Sequence, residues 1–275
     1  MLGRKEEERE NHHLVILVLL AIIAIGVLLR LLNLGGNSLW NDELATWRLS
    51  RGPSLASVIR NIIPAVGHPP AYQIPLYFIE KYLGDSEYLL RLPSAISGII
   101  SLLLIFLLAR LLYSSKEGLI AAALMAVLWC PIYYSQEARP YAMLLLFSLI
   151  TAYLWVTMGK ALHAGEKPKR IILIFYVISA IICSYLHHFG ILLVVFQAGY
   201  LLVSLGKRPK ALVSVCLLYL PVFLALFPWM TVVMRHWNKG PVFWLRRPQW
   251  TAFASYLKFI YNRSNLLLVL VLVIY

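Results

Sequence analysis

The chain has 275 residues, 61% of them hydrophobic and only 13% charged, with a mean hydropathy of +0.76 and a formal net charge of +13. Soluble domains run at about 45–50% apolar and about 25% charged, so this composition excludes both a soluble globular enzyme and a disordered chain. The excess of cations would fit a nucleic-acid partner only if it were gathered on one surface, which their placement argues against. Cys130, Cys183 and Cys216 lie in apolar runs with neither a disulfide framework nor a CxxC spacing, and read as small core hydrophobes.

A bilayer core of about 30 Å needs about 20 apolar residues in a helix. After a charged tail, 1–12, the first such run covers 13–34, with Arg30 near its end. It is longer than a signal-peptide core and lacks a small-residue cleavage site, so a retained span is expected. A long polar interval, 35–87, follows. Six further runs then come in order, at 88–112, 118–133, 141–158, 171–186, 189–205 and 211–230. A basic interval, 231–263, precedes a last apolar stretch, 264–275, which is too short to cross and reads as an incomplete span of a longer protein. The expected fold is an all-α polytopic membrane bundle of seven spans and part of an eighth. The transmembrane domain is 13–230, with helices lying at the interface in its first outer loop.

Lys and Arg in short loops set the orientation. With the N-terminus inside, the inner segments hold 12 of the 25 basic residues: Arg4, Lys5, Arg9, Arg110, Lys116, Lys160, Lys167, Lys169, Arg170, Lys207, Arg208 and Lys210. The short outer turns hold Arg139 alone. About half of the positive charge is therefore a topology signal for an integral protein of the cell membrane, with its N-terminus cytoplasmic, and no nucleic-acid partner is expected. The outer interval 231–263 carries Arg235, Lys239, Arg246, Arg247, Lys258 and Arg263 with no acid. It either meets anionic lipid headgroups or forms a site for phosphate.

Four outer segments hold the candidate chemistry. In the first, Asp42 and Glu43 open a short helix expected over 42–50, with Trp40, Leu44 and Trp47 as its apolar face at the membrane interface. Neighbours on a helix point about 100° apart, so the two acids should not share a target. They either serve the helix dipole or line a cavity. In the second, His68-Pro-Pro-Ala-Tyr72 leads into an amphipathic stretch, 73–82, with Tyr72, Leu76, Ile79 and Leu83 on one face. His68 either donates to a phosphate or caps the turn. In the third, Glu137 and Arg139 sit at the hydrocarbon edge, where a charge is functional or paired. In the fourth, His187 and His188 form a polar turn or contact phosphate; adjacent histidines chelate a metal poorly. The topology gathers all four on the outer face.

Trp40-Asn-Asp-Glu, His68-Pro-Pro-Ala-Tyr, Arg91-Leu-Pro-Ser and Tyr134-Ser-Gln-Glu-Ala-Arg-Pro-Tyr, in that order around the first four spans, resemble the polytopic GT-C glycosyltransferases. The likeness is to the branch that holds protein O-mannosyltransferases and lipid A aminoarabinose transferases, and covers roughly 14–206. It implies a GT-C-like transferase with an outward site. That enzyme would move a hexosyl or pentosyl unit from a polyprenyl-phosphate-linked sugar to an acceptor hydroxyl on a glycan, lipid or protein, with inversion. By this resemblance Asp42 is the catalytic base and Glu137 the acid of the second outer loop. Where some relatives carry Lys before the Pro-Pro pair, this chain has His68. The substrate- or phosphate-binding candidates are Glu43, His68, Tyr72, Arg139, Tyr141, His187 and His188, with Arg246 and Arg247 added on charge alone. A leaving group that is already a phosphate needs cations rather than a proton donor. No Gly-rich nucleotide loop is present, no cofactor is implied, and no ligand pattern marks a divalent metal. The alternative is a transporter or flippase of lipid-linked glycan, which would need no carboxylate at Asp42.

Overall fold

The structure, a computed structural model, describes residues 2–65, 69–206, 208–236, 249–260, 262 and 264. Among the described residues it is helical with no strand. Helix α1 is Leu2–Leu31. Three short helices occupy the first loop: α2 (Asn41–Ser50), α3 (Leu55–Ile62) and α4 (Gln73–Tyr82). Then follow α5 (Glu87–Leu112), α6 (Ser115–Val127), α7 (Trp129–Ser135), α8 (Tyr141–Ala164), α9 (Arg170–Leu186), α10 (His188–Ser204), α11 (Pro209–His236) and α12 (Trp250–Ile260).

Among the described residues, four helices are long and apolar enough to cross a bilayer: His12–Leu31, Glu87–Leu112, Tyr141–Ala164 and Leu212–Arg235. The run expected as one span over 118–133 is instead α6 and α7, bent by 61°. Pro131 accounts for the break, because it has no N–H to give the Val127 carbonyl and its ring crowds that oxygen. Helices α9 and α10 have 17 residues each, about 25 Å at 1.5 Å per residue, at the lower limit for a crossing. The seven expected runs are thus all helical but unequal in reach. Of the last expected run, 264–275, only Ser264 is among the described residues.

Helix α8 packs between α5 and α9, and α11 closes against α9 and α10. The largest apolar cluster joins α8 to α11 through Met158, Tyr176, Val194, Leu201 and Val222. Within it Tyr176 donates to Gln197 Oε1 at 2.8 Å and meets the Tyr219 hydroxyl at 2.6 Å, which satisfies polar groups where water is scarce. A second buried polar group, Arg30, is fully enclosed in α1. It donates to Met125 O at 2.8 Å and to Ala126 O and Gly26 O at 3.2 Å. Its charge thereby caps the final carbonyls of α6 just before the Pro131 break.

The first-loop helices show which faces turn inward. Helix α2 forms where expected, yet its buried residues are Glu43, Thr46 and Ser50, while Trp40 is 45% exposed. The polar face turns inward because it meets charged partners from other segments. At the start of α4, Tyr72 and Leu76 are buried together with Gln73 and Tyr77, while Leu83 is exposed. Its outward side shows Phe78, Tyr82 and Leu83, as suits a helix at a membrane interface.

The α9–α10 junction sets a matched test of packing. A Cβ on Gly190 would lie 2.1 Å from the Cys183 carbonyl oxygen, whereas one on Gly199 would meet nothing within 4 Å. Gly190→Ala should therefore cost about 1–3 kcal/mol. Gly199→Ala should be neutral or stabilising by up to about 1 kcal/mol. Thermal unfolding of the two purified variants in detergent measures the difference.

Candidate active site

The four quoted sequence segments meet at one end of the bundle, where α1 ends, α8 begins and α9 ends. The contact that joins them is a buried ion pair. Arg91 Nε donates to Glu43 Oε1 at 2.9 Å and Nη2 to Oε2 at 2.8 Å. Nη1 donates to the carbonyls of Leu34 and Asn37, both at 2.9 Å, and Nη2 also to Ser38 O at 3.3 Å. All five N–H groups of the guanidinium are thus used, and three of them hold the chain that leaves α1. Glu43 is fully buried. Its remaining capacity is filled by the amides of Ala138, at 2.7 Å, and Trp40, at 3.3 Å.

The Arg91-Leu-Pro-Ser segment acts twice. One turn after Arg91, Ser94 Oγ donates to the Arg139 carbonyl at 3.0 Å and shares a 2.7 Å hydrogen bond with the Tyr72 hydroxyl. Tyr72 is completely buried, and burial pushes its phenol pKa well above the ordinary value. Tyr72 is therefore a neutral wall behind the loop. Gln136 completes the anchoring, with Nε2 donating to Leu29 O at 3.0 Å and Leu32 O at 3.1 Å at the end of α1.

Held this way, the loop from 136 to 140 presents Arg139 and Glu137. Arg139 is buried; its Nη1 donates to Thr46 Oγ1 at 3.0 Å and Asp42 O at 3.2 Å, and its Nη2 lies 3.5 Å from Asp42 Oδ2. The guanidinium also stands 5.6 Å from the centre of the Tyr141 ring. Glu137 is enclosed, with the Tyr133 hydroxyl as its hydrogen-bonding neighbour. Burial holds its carboxyl above the usual carboxylate range, and the charges of Glu43 and Asp42 push the same way.

The three carboxylates therefore differ in access. The side chain of Asp42 is 51% exposed, whereas Glu43 is sealed and Glu137 is 6% exposed. The expected divergence of Asp42 and Glu43 along a helix is what separates them. Tyr141 packs edge-on against Tyr134, ring centres 4.9 Å apart, and lies 5.9 Å from His187. His187 Nδ1 accepts the Phe189 amide at 3.1 Å and so caps α10. Burial and the neighbouring His188 and Arg139 lower its pKa, so it meets the site as a neutral ring. His188 turns the other way, onto Trp229. Helix α12, from the basic interval, lies beside α7 and sets Phe259 against Tyr133 and Tyr134 at 5.9 and 6.1 Å. His68, Arg246 and Arg247 lie outside the described residues. Among the described residues no group of three His, Cys, Asp or Glu side chains is placed to hold a metal ion.

A family model described as dolichyl-phosphate-mannose-protein mannosyltransferase matches residues 67–234, more than half of the chain. The chain belongs to that family. It is a membrane glycosyltransferase of the GT-C type. Searches of curated proteins and of solved structures return no match. The family match takes in Tyr72, Arg91, Glu137, Arg139, Tyr141 and both histidines, while Asp42 and Glu43 lie upstream of it. The Arg91–Glu43 pair and the Arg139–Asp42 contact tie those upstream acids to the matched region.

Sequence reasoning assigned no task to Arg91, Ser94, Thr46 or Gln136. For Arg91 the signal was present: an arginine at the start of an apolar run needs a partner. The others are short or neutral side chains whose roles appear only when distant segments meet.

Two outcomes follow. Arg91→Met leaves the Glu43 carboxylate buried and uncompensated and should cost about 3–5 kcal/mol, with Glu43→Leu in the same chain restoring part of it. Thermal unfolding in detergent reads both. For Glu137 the folded pKa is raised. Its contribution to stability is therefore present below the ordinary carboxylate pKa and is lost as pH rises through the folded value. Glu137→Gln should unfold at or above the wild-type temperature near pH 8, and that advantage should vanish near pH 4.

Proposed function

We propose that the chain transfers a sugar from a polyprenyl-phosphate donor to an acceptor hydroxyl at the outer membrane face, with inversion and with Asp42 as the base. The family's description supports mannose as the sugar and protein as the acceptor. The observation that carries the assignment of the base is the difference in access. Of the three carboxylates gathered around Arg91 and Arg139, Asp42 is the one that opens outward. A carboxylate that takes a proton from a bound hydroxyl must reach it directly, within hydrogen-bonding distance.

In this reading Asp42 accepts the acceptor's hydroxyl proton as that oxygen attacks the anomeric carbon. The bond between that carbon and the phosphate oxygen breaks on the opposite face, and the lipid phosphate departs with the electron pair. Attack from the side opposite the leaving group inverts the centre. Arg139 positions the base through the Asp42 backbone carbonyl and its carboxylate together, so the side chain is oriented while one side stays open. Glu137, whose carboxyl burial holds above the usual carboxylate range, would orient the acceptor or hold the second outer loop. His187 is neutral and would contact phosphate as a hydrogen-bond donor rather than as a charge. Arg246 and Arg247 remain candidates for the leaving phosphate on charge alone. A donor tethered to lipid reaches such a site from within the bilayer, in keeping with its place at the end of the spans.

The test is Asp42→Asn in the full-length protein in membranes supplied with polyprenyl-phosphate mannose. Turnover should fall by about 10²–10⁴-fold, with the unfolding temperature unchanged because the backbone contact to Arg139 remains. Turnover equal to wild type removes Asp42 as the base. Movement of lipid-linked sugar across the bilayer with no transfer at all would favour the flippase.

A further inference from the structure

At the opposite end of the bundle lies a feature that the transfer reaction does not use. Helix α8 starts at the candidate site and runs 24 residues away from it, about 36 Å at 1.5 Å per residue. There the chain turns through 165–169 into α9, and α11 begins beside it at Pro209. A groove of about 870 Å³ opens between α9 and α11 at this end.

The groove has two chemical halves. Its mouth is lined by Lys167, Arg170, Arg208 and Lys210, with Glu166 as the one acid among its lining residues. Its depth is lined by Leu173, Ile174 and Val177 of α9 and Leu217, Leu218 and Pro221 of α11. From Lys210 to Pro221 along α11 is about 16 Å, close to half of a hydrocarbon core of about 30 Å. A cationic rim over an apolar slot one leaflet deep complements one kind of molecule: an anionic head on an acyl chain. One of the cations is held in place, since Arg208 Nη1 donates to His163 O at 2.7 Å and Leu162 O at 3.1 Å, at the end of α8. The other three are exposed at the rim.

We propose that this groove is a binding site for an anionic glycerophospholipid of the leaflet facing away from the active site. The head phosphate sits among Lys167, Arg170, Arg208 and Lys210, and one acyl chain lies between α9 and α11. The lipid thus wedges the two helices whose far ends carry His187 and Trp229. The site is separate from that of the lipid-linked donor and does not depend on the transfer mechanism.

The experiment uses the full-length protein in mild detergent, exposed to phosphatidylglycerol or phosphatidylcholine of the same chain length, with retained lipid counted by native mass spectrometry. Wild type should retain phosphatidylglycerol over phosphatidylcholine by at least about tenfold. A variant with Lys167→Gln, Arg170→Gln and Lys210→Gln should lose that preference. Arg208 is left alone because it also caps α8. A second variant, Ile174→Trp with Leu217→Trp, fills the slot from two exposed positions with every charge intact and should lose retention itself. Unfolding temperatures near wild type show that both variants are folded. Equal retention of the two lipids by wild type overturns the proposal. So does a preference that survives both variants. Inorganic phosphate binding as tightly as phosphatidylglycerol, unaffected by the filled slot, would identify an anion site without a lipid and also overturns it.

Discussion

The candidate site depends on one sealed ion pair. Glu43 and Arg91 lie 48 positions apart and are joined by two charge-assisted hydrogen bonds away from water. Every further donor of Arg91 and every further acceptor position of Glu43 is committed to backbone. The pair therefore fixes chain paths, and the residues beside it inherit fixed positions. Asp42 is aimed because Glu43 is anchored. Arg139 is aimed because Ala138 donates to the same carboxylate and Ser94 holds its carbonyl. A buried pair is weak evidence for added stability. Its value here is that it specifies geometry across three segments that share no helix.

The electrostatics follow from that arrangement. Three carboxylates gathered near two arginines cannot share equal surroundings. Glu43 is compensated by a bidentate guanidinium. Glu137 is buried with a phenol for company and holds its proton more tightly than a free carboxyl. Asp42 keeps contact with solvent. Sorting similar groups by environment is how one site comes to hold acids of different character.

Much of the fold was legible in the sequence because bilayer thickness translates directly into run length. The first-loop helices were legible too, yet the face of α2 was not. Trp40, Leu44 and Trp47 satisfy the apolar rule, but the partners of Glu43, Thr46 and Ser50 lie in α5, in the 136–140 loop and in α4, and no local pattern announces them. The bend between α6 and α7 was written in Pro131, inside an apolar run that otherwise looks continuous. The four candidate segments were found individually, and the outer-face topology predicted that they would meet. The quality of the meeting, with Glu43 sealed and Asp42 open, depends on tertiary contacts that spacing cannot encode.

Arg30 and Gln136 carry a consequence for the order of assembly. The first helix enters the bilayer with a guanidinium whose other carbonyl partners, Met125 and Ala126, lie 95 and 96 residues later in the chain. The carbonyls at the end of that helix wait still longer, until Gln136 arrives 107 residues after Leu29. During synthesis the first span is therefore provisional. Its cation must stay near headgroups or water while the intervening loop and α5 are made, and it can settle only when α6 is in place. The same two side chains that complete the finished bundle make its N-terminal helix, the first to be made, wait for α6 and the chain up to Gln136 before it is fully seated.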